Sequence, residues 1–254
     1  MLYYKHNSKG QFGPNTNSFT GGLAMSSKTK VVGSLSDWSG RLKDFWRKVD
    51  DGTITLERFD TFLEDPGKFD VETYQHMILG WQKFWQAQGI EADFSNLQIP
   101  KKKAGFDRLL IIPQGMTPQK AYELCANEFK CWKYTGKSLD NVIQHEDRTA
   151  KDGAYTVWVR DRVEADEELK NLSANDLAKK KLNGITLTER LAYELKYYSE
   201  TGQHLDITKY TLCSGSQYTD GFVPSVCWRD GGVRVFWYLL DPRFEYLRAR
   251  QAVS

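Results

Sequence analysis

The side chains that most often carry out chemistry are few and scattered in this chain. The histidines are His6, His76, His145 and His204, and the cysteines are Cys125, Cys131, Cys213 and Cys227. The cysteine spacings are C-x5-C and C-x13-C, with no CxxC pair and no histidine in ligand register, which is a poor signature for zinc. We therefore expect four reduced cysteines, with a Cys213–Cys227 disulfide as the alternative for an exported protein.

Motifs for a nucleophile, a metal or a phosphate are absent from the sequence, including GxSxG, GxGxxG, the P-loop and HExxH. His204 is close to Asp206 in GQHLD, and we expect it to be an exposed turn residue. The acidic run from Asp161 to Glu168 could ligate a hard cation, but a solvated helix start is the favoured interpretation. We expect no enzymatic activity, no catalytic residues, no metal and no cofactor.

The last 40 residues offer a different kind of chemistry, because aromatic, arginine and polar side chains fall there on turns and outward strand positions. Such side chains give a large contact area at low entropic cost, as in binding loops. The alternative interpretation is that these residues form an ordinary solvent-exposed surface of the sheet. The candidate ligand-binding residues are Gln217, Tyr218, Asp220, Phe222, Ser225, Arg229, Asp230, Arg234, Phe236, Tyr238, Arg243, Phe244 and Tyr246.

The elements that must position these residues begin with local helix and strand signals. The run RLLIIP, residues 108–113, predicts a buried strand, and Thr117-Pro118 predicts a helix start whose apolar face extends to Trp132. A second strand is predicted from Ala154, in which Tyr155, Val157 and Val159 alternate with Thr156, Trp158 and Arg160. Thr186 with Glu189 predicts a capped helix that ends at Gly202.

Beyond Gly202 the helical periodicity gives way to short β runs. Val226 and Trp228, and then Val233, Val235 and Trp237, alternate as one buried face should. Asp230-Gly231-Gly232 supplies the residues of a tight hairpin turn. Because the strands are separated from the helices, we predict an α+β domain over residues 105–254 with a small antiparallel sheet.

The upstream half predicts a small helical module over residues 34–90, with Trp38, Trp46, Trp81 and Trp85 in its core. Residues 1–33 hold four lysines and no acid, and predict a flexible leader; residues 91–104 predict a linker. The Trp-rich helices have an alternative role as a homo-oligomer interface, which would make this a structural or assembly protein.

Composition excludes several classes of function. The chain has 254 residues, and none of its apolar runs approaches the roughly 18 residues of a membrane span. A secretory signal is also lacking, so a cytoplasmic location is the default expectation. The net charge of +2 and the short KKK runs at 101–103 and 179–181 disfavour a nucleic-acid partner, and a weak nucleic-acid binder is kept only as an alternative.

The run from Gly184 to Tyr238, GITLTERLAYELKYYSETGQHLDITKYTLCSGSQYTDGFVPSVCWRDGGVRVFWY, and the closing LRARQAVS resemble a family of uncharacterised bacterial proteins of candidate-phylum lineages. The similarity extends upstream through SLSDWSGRLKDFWRKVDDG and GFDRLLIIPQGMTPQKAYELC. The family has no assigned activity, so this resemblance identifies relatives without implying a function.

The C-terminal end is also similar to the variable region of diversity-generating retroelement target proteins. In those proteins a C-type-lectin-like fold displays hypervariable residues on a rigid β scaffold. WYLLDPRFEYLRARQAVS would supply the constant frame here, although Phe222, Phe236 and Leu240 stand where the pattern favours Asn, Asp, Ser and Tyr. The resemblance implies a non-enzymatic recognition protein with a C-type-lectin-like domain, whose partner is an unknown protein or surface ligand.

Overall fold

The computed structural model describes residues 35–254 apart from residues 51, 53 and 65. The flexible leader predicted over residues 1–33 and the side chain of Trp38 lie outside the described part. The chain divides into two compact units between Asp60 and Thr61. This division places residues 61–90 in the same unit as the C-terminal sheet, whereas residues 34–90 were predicted to form one helical module.

The smaller unit contains helix α1 (Leu35–Asp50) and the first residues of helix α2 (Leu56–Glu64). Phe45 connects the two helices, because its ring centroid lies 5.5 Å from that of Phe59. Trp46 was predicted to be a core residue, but 60% of it is exposed, and Leu42 and Leu56 are exposed as well.

The larger unit contains the rest of the elements in the described part of the chain. Its helices are α3 (Pro66–Ala87), α4 (Pro118–Glu128), α5 (Leu139–Val142), α6 (Ala174–Lys179) and α7 (Leu187–Thr201). Its strands are β1 (Arg108–Ile112), β2 (Cys131–Lys133), β3 (Ile143–Glu146), β4 (Tyr155–Val159), β5 (Tyr210–Leu212), β6 (Ser216–Tyr218), β7 (Val223–Arg229), β8 (Gly232–Tyr238) and β9 (Leu247–Ala249).

These strands form a five-stranded sheet in the order β2-β8-β7-β5-β9 and two antiparallel ribbons, β1 with β4 and β3 with β6. The centre of the large sheet is antiparallel, as predicted, whereas β2 and β9 join its edges in parallel. Helices occur together with a sheet and two ribbons whose pairing is mostly antiparallel, so the predicted α+β class is confirmed.

The helix caps and the hairpin turn that were predicted from the sequence are present in the structure. The Thr117 side chain accepts a hydrogen bond from the Lys120 amide of α4, and Thr186 forms a reciprocal capping box with Glu189 at the start of α7. Gly202 ends α7 in the left-handed conformation. Asp230 and Gly231 both have positive φ, which is the geometry of a two-residue hairpin turn.

The main core lies between α3, the β1–β4 ribbon, α7 and one face of the large sheet. Trp81 and Trp85 of α3 are buried, and their indole N–H groups donate to Leu109 O at 3.0 Å and Ile111 O at 2.9 Å. Both alternating sets of β4 contain buried residues, because Thr156 and Trp158 are buried as well as Val157 and Val159.

Thr156 and Trp158 are buried because the predicted linker covers β4. The Thr156 hydroxyl donates to Gln98 O and the Trp158 indole donates to Pro100 O. Phe94, from the same segment, is buried in the core. A strand covered on both sides loses the alternation of buried and exposed residues.

Gly232 permits the close approach of β8 to the residue before β2. A Cβ at this position would lie 2.7 Å from the Lys130 carbonyl oxygen, which accepts the Val233 N–H at 2.9 Å. Gly232→Ala should therefore displace β2 and lower the free energy of unfolding by about 1–3 kcal/mol in urea titrations.

Gly153→Ala is the matched control for this prediction. Nothing lies within 4 Å of a Cβ at Gly153, and its φ is not positive, so the change should be neutral or slightly stabilising. Equal stability of the two variants would show that β8 tolerates the side chain.

Candidate ligand-binding surface

The two faces of the five-stranded sheet have different roles. Val226, Val233 and Val235 point into the main core. On the opposite face, Leu177 of α6 packs with Leu212 and Leu247 in a second, smaller core. This smaller core occupies part of the face, and the remainder carries rings that solvent reaches.

Six rings form a continuous row on this face, and we call them the aromatic face: Trp132, Tyr210, Phe236, Tyr238, Phe244 and Tyr246. The ring centroids of Trp132 and Phe236 are 5.3 Å apart, and those of Phe236 and Tyr210 are 5.9 Å apart. Tyr246 continues the row at 5.0 Å from Tyr210, and Phe244 stacks on Tyr246 at 5.2 Å. Solvent reaches 41% of Trp132, 37% of Phe244 and 38% of Tyr246.

Small side chains on the central strand allow this row to form. Ser225 pairs with Phe236, and Cys227 pairs with Arg234, in the β7–β8 register. Both are fully buried, so the larger rings from β8 and β5 can extend over β7. The Phe236 and Tyr210 rings are within 12° of parallel across this strand.

The phenols of Tyr210 and Tyr238 are neutral hydrogen-bonding groups at physiological pH. Burial raises the pKa of Tyr210 and of Tyr238 above the ordinary value. Tyr210 accepts a hydrogen bond from Arg229 Nη1 at 2.7 Å, and the Tyr238 hydroxyl donates to that of Tyr246 at 3.4 Å. The face therefore combines apolar ring surface with polar groups of fixed orientation.

Charged side chains border the Trp132 end of the row. The Arg234 guanidinium lies 5.7 Å from the centroid of Trp132, within range of a cation–π interaction. Its Nη2 atom is 3.7 Å from the Asp230 carboxylate, and Arg229 Nε is 4.0 Å from the same carboxylate. Arg229 is the more exposed of the two arginines: 62% of its side chain is accessible, against 20% for Arg234.

Seven of the thirteen sequence-predicted site residues lie on or beside the aromatic face. Phe236, Tyr238, Phe244 and Tyr246 belong to the row itself, and the turn and strand residues Arg229, Asp230 and Arg234 border it. Arg243 is exposed close by in sequence, and its guanidinium makes two hydrogen bonds to Asp176 of α6.

The other five predicted residues are not part of the row, since Ser225 lies beneath it and four residues are placed elsewhere. Tyr218 and Ser225 were predicted to be outward but are fully buried, because β6 and β7 are covered on the sides to which these residues point. Gln217 lies on β6 in the β3–β6 ribbon. Asp220 and Phe222 line an open cavity of about 530 Å³ formed with residues 239–242.

Sequence reasoning missed or misplaced three aromatic residues of the large sheet, two on the aromatic face and one on the opposite face. Trp132 was predicted on a helix, but α4 ends at Glu128 and Trp132 belongs to β2. Trp237 was predicted in the buried face, but 41% of it is exposed, because it lies beyond the last core valine of β8 and stacks on Phe222. Tyr210 carried a weak signal only, as the first residue of the β run YTLC.

A network of buried charged side chains lies on the main-core side of the five-stranded sheet. Asp206 accepts hydrogen bonds from Arg190 Nε at 2.9 Å, Arg250 Nη2 at 2.8 Å and the Thr211 hydroxyl at 2.5 Å. Glu194 accepts a further bond from Arg190 Nη1 at 2.7 Å. Each charge is paired and fully or almost fully buried, as a structural role requires.

His204 belongs to this network, contrary to the prediction of an exposed turn residue. Its Nδ1 atom is 2.8 Å from Glu194 Oε1, and only 13% of the side chain is accessible. The imidazole stacks on Trp228 with a centroid separation of 3.4 Å, and Tyr198 stacks on its ring at 4.7 Å. His204 thus connects α7 to the sheet.

The acidic run and the cysteines have structural contacts. Glu164 accepts hydrogen bonds from the backbone N–H groups of residues 208 and 209, and Asp166 pairs with Arg160. Within the described residues, no three His, Cys, Asp or Glu side chains converge as metal ligands would.

Cys213 faces the main core, whereas Cys227 faces the opposite side of the sheet. Both are free thiols, which corrects the alternative of a disulfide between them.

Glu146 makes the stability of the scaffold depend on pH. Burial raises its pKa from 4.5 to about 7, against the opposing hydrogen bonds from Thr188 and Ser216. The folded protein therefore keeps a proton that the unfolded chain releases, so stability that is present below about pH 4.5 is lost as the pH rises through 7.

Glu146→Gln should remove this part of the pH dependence, since glutamine mimics the protonated carboxyl. Urea titrations at about pH 5 and about pH 8 should show that the variant loses less stability than the wild type, by on the order of 3 kcal/mol or less at 1.4 kcal/mol per pKa unit. The exposed Glu128→Gln is the control and should follow the wild type. Identical pH profiles of all three proteins would contradict the prediction.

None of the helices in the described residues combines the length and apolarity that a membrane span requires. Comparisons of the chain with protein-family models, with curated proteins and with solved structures give no match. The aromatic face is therefore the feature of the molecule that points to a function.

Proposed function

We propose that this chain is a non-enzymatic recognition protein that binds a ligand on the aromatic face. The observation that carries the proposal is the continuous row of six partly exposed rings on one face of the sheet, bordered by arginine and aspartate. Tyr, Trp and Arg dominate the binding energy of protein interfaces, and exposed apolar patches of this kind mark interaction sites.

The separation of surface from scaffold supports the same proposal. The rings point away from the main core, whereas the buried charges and the core valines lie on the opposite side of the sheet. Ligand contacts can therefore change without removing what holds the strands together. This is the arrangement expected of a C-type-lectin-like target of a diversity-generating retroelement.

The histidine and the cysteines that a catalytic role would use make structural contacts instead. His204 is stacked between two rings, and Cys213 is fully buried. Burial raises the pKa of the Cys213 thiol, which lowers the fraction of the reactive thiolate. These contacts support binding rather than covalent chemistry at these positions.

Sequencing of this locus across one population tests whether the face varies. Substitutions should concentrate at exposed positions before the constant frame, such as Asp220, Arg229 and Asp230, and should spare Val226 and Val235. Even scatter, or sparing of the exposed positions as well, would contradict the retroelement form of the proposal.

A binding screen tests recognition directly. Purified protein is offered a displayed library of random peptides of about 12 residues, a glycan array and oligonucleotides of about 20 nucleotides. Phe244→Ala/Tyr246→Ala should weaken a selected ligand at least tenfold while the melting temperature changes little, because both rings are more than one-third exposed. Trp46→Ala, which removes an exposed ring from the smaller unit, should bind like the wild type.

An assembly role is the second candidate function. Leu42, Trp46 and Leu56 of the smaller unit are exposed, and apolar side chains of this kind occur at oligomer interfaces. Light scattering of wild type and Trp46→Ala decides between the two. A stable oligomer that dissociates in the variant would favour assembly, and a monomer in both would remove this candidate.

A further inference from the structure

The charges beside the aromatic face differ in how firmly other protein groups hold them. Arg234 is only 20% accessible, lies against Trp132 and donates from Nε to the Arg229 carbonyl. Arg229 is 62% accessible, and its Nη1 donates to Tyr210 at 2.7 Å. Arg229 therefore offers a guanidinium that is oriented by the row and still open to solvent.

A guanidinium carries five N–H donors in a planar fork, which suits a carboxylate in bidentate contact. Arg229 uses one of its donors on a neutral phenol, and its nearest carboxylate, that of Asp230, is 4.0 Å away. The Asp230 carboxylate lies closer to Arg234, at 3.7 Å. An incoming anion would thus meet a preorganised donor set immediately next to an aromatic row.

The type of anion follows from the other charges at the face. Asp230 is exposed at the tip of the hairpin, and Glu245 is exposed between two rings of the row in sequence. Two exposed acids would repel a polyanion, whose affinity comes from many phosphate contacts at once. One isolated carboxylate beside apolar side chains matches Arg229 better, because the exposed Arg243 already makes two hydrogen bonds to Asp176. This is the composition of a protein segment.

On these grounds we infer that the ligand of the aromatic face is an acidic peptide segment of a protein. A Glu or Asp carboxylate of this segment contacts Arg229, and a neighbouring aromatic or aliphatic side chain packs on Tyr210 and Phe236. This inference rests on the proposed function and adds the chemical class of the partner. Arg229 thereby becomes a specificity-determining residue, since it selects for the carboxylate while the rings supply contact area.

Selection from the displayed library of random peptides tests the inference. Peptides enriched on the wild type should contain Asp or Glu within two or three positions of an aromatic or aliphatic residue. Arg229→Gln should lose the enrichment of acids and retain that of apolar residues. A synthetic consensus peptide should bind Arg229→Gln at least tenfold more weakly than the wild type, and replacement of its acid by the corresponding amide should have the same effect.

Lys151→Gln is the control for general electrostatics, because it removes an exposed positive charge from the loop before β4. It should bind the consensus peptide like the wild type. Failure to enrich acidic peptides, equal binding by Arg229→Gln, or stronger binding of an oligonucleotide would each overturn the inference. A ligand lost in Phe244→Ala/Tyr246→Ala but retained in Arg229→Gln would leave the proposed function standing and refute the acidic class alone.

Discussion

Asp206→Ala is expected to destabilise the larger unit by about 3–5 kcal/mol, since it leaves two buried guanidinium groups without their shared carboxylate. Asp206 is fully buried and accepts hydrogen bonds from Arg190, Arg250 and Thr211. A loss of this size is a large fraction of the roughly 5–15 kcal/mol that stabilises a typical domain. Guanidinium chloride titration followed by circular dichroism measures it.

The loss of stability in Asp206→Ala should also disrupt the aromatic face, because Thr211 is the neighbour of Tyr210 on β5. Arg250 Nη1 and Nη2 also donate to the carbonyl oxygens of Arg162 and Val163, so the network joins the C-terminal segment to the loop before α6. Asp206→Ala should therefore lose ligand binding together with the fold. This distinguishes it from Phe244→Ala/Tyr246→Ala, in which binding is lost and the fold is kept.

Two variants control this prediction. Asp152→Ala removes an exposed carboxylate and should change stability by about 0.5 kcal/mol or less. Asp206→Asn keeps the size of the side chain and the tolerance of a positive φ, here 54°, and removes only the charge. If Asp206→Ala lowered stability by less than about 1 kcal/mol, the network would have no structural importance.

The sequence allowed prediction of those features that neighbouring residues determine. Thr186 and Glu189 cap α7 through a bond to each other, and the turn at Asp230-Gly231 needs positive φ at adjacent positions. Such signals depend on a few residues of local chain, and they predicted the ends of α7 and the hairpin of the large sheet. The α+β class follows from the same signals.

Contacts between distant segments explain what was missed. Trp132 joins the aromatic face because β2 pairs with β8, about 100 residues later, and no local pattern encodes that pairing. Arg190 and Glu194 have the i,i+4 spacing of an ordinary surface pair, yet the fold buries both. Tyr218 has the composition of a binding residue, but its burial depends on how β6 packs.

Trp85→Ala should destabilise the larger unit by about 3–5 kcal/mol, the usual cost of removing a buried tryptophan. Trp85 is fully buried, and the change also leaves the Ile111 carbonyl oxygen without its indole donor. Trp85→Phe restores most of the packing but not the hydrogen bond, so it should lose a smaller amount. Thermal and urea unfolding of the three proteins give the comparison.

Leu79→Ala is the matched control on α3, because Leu79 is 52% exposed, and it should change stability by about 0.5 kcal/mol or less. The comparison also determines where the domain begins. If α3 were part of a separable N-terminal module, Trp85→Ala would leave the unfolding of the sheet unchanged and residues 91–254 would fold alone. Because Trp81 and Trp85 donate to the backbone of β1, we expect the opposite: the 91–254 fragment should expose β1 and aggregate, whereas the 61–254 fragment should retain the fold.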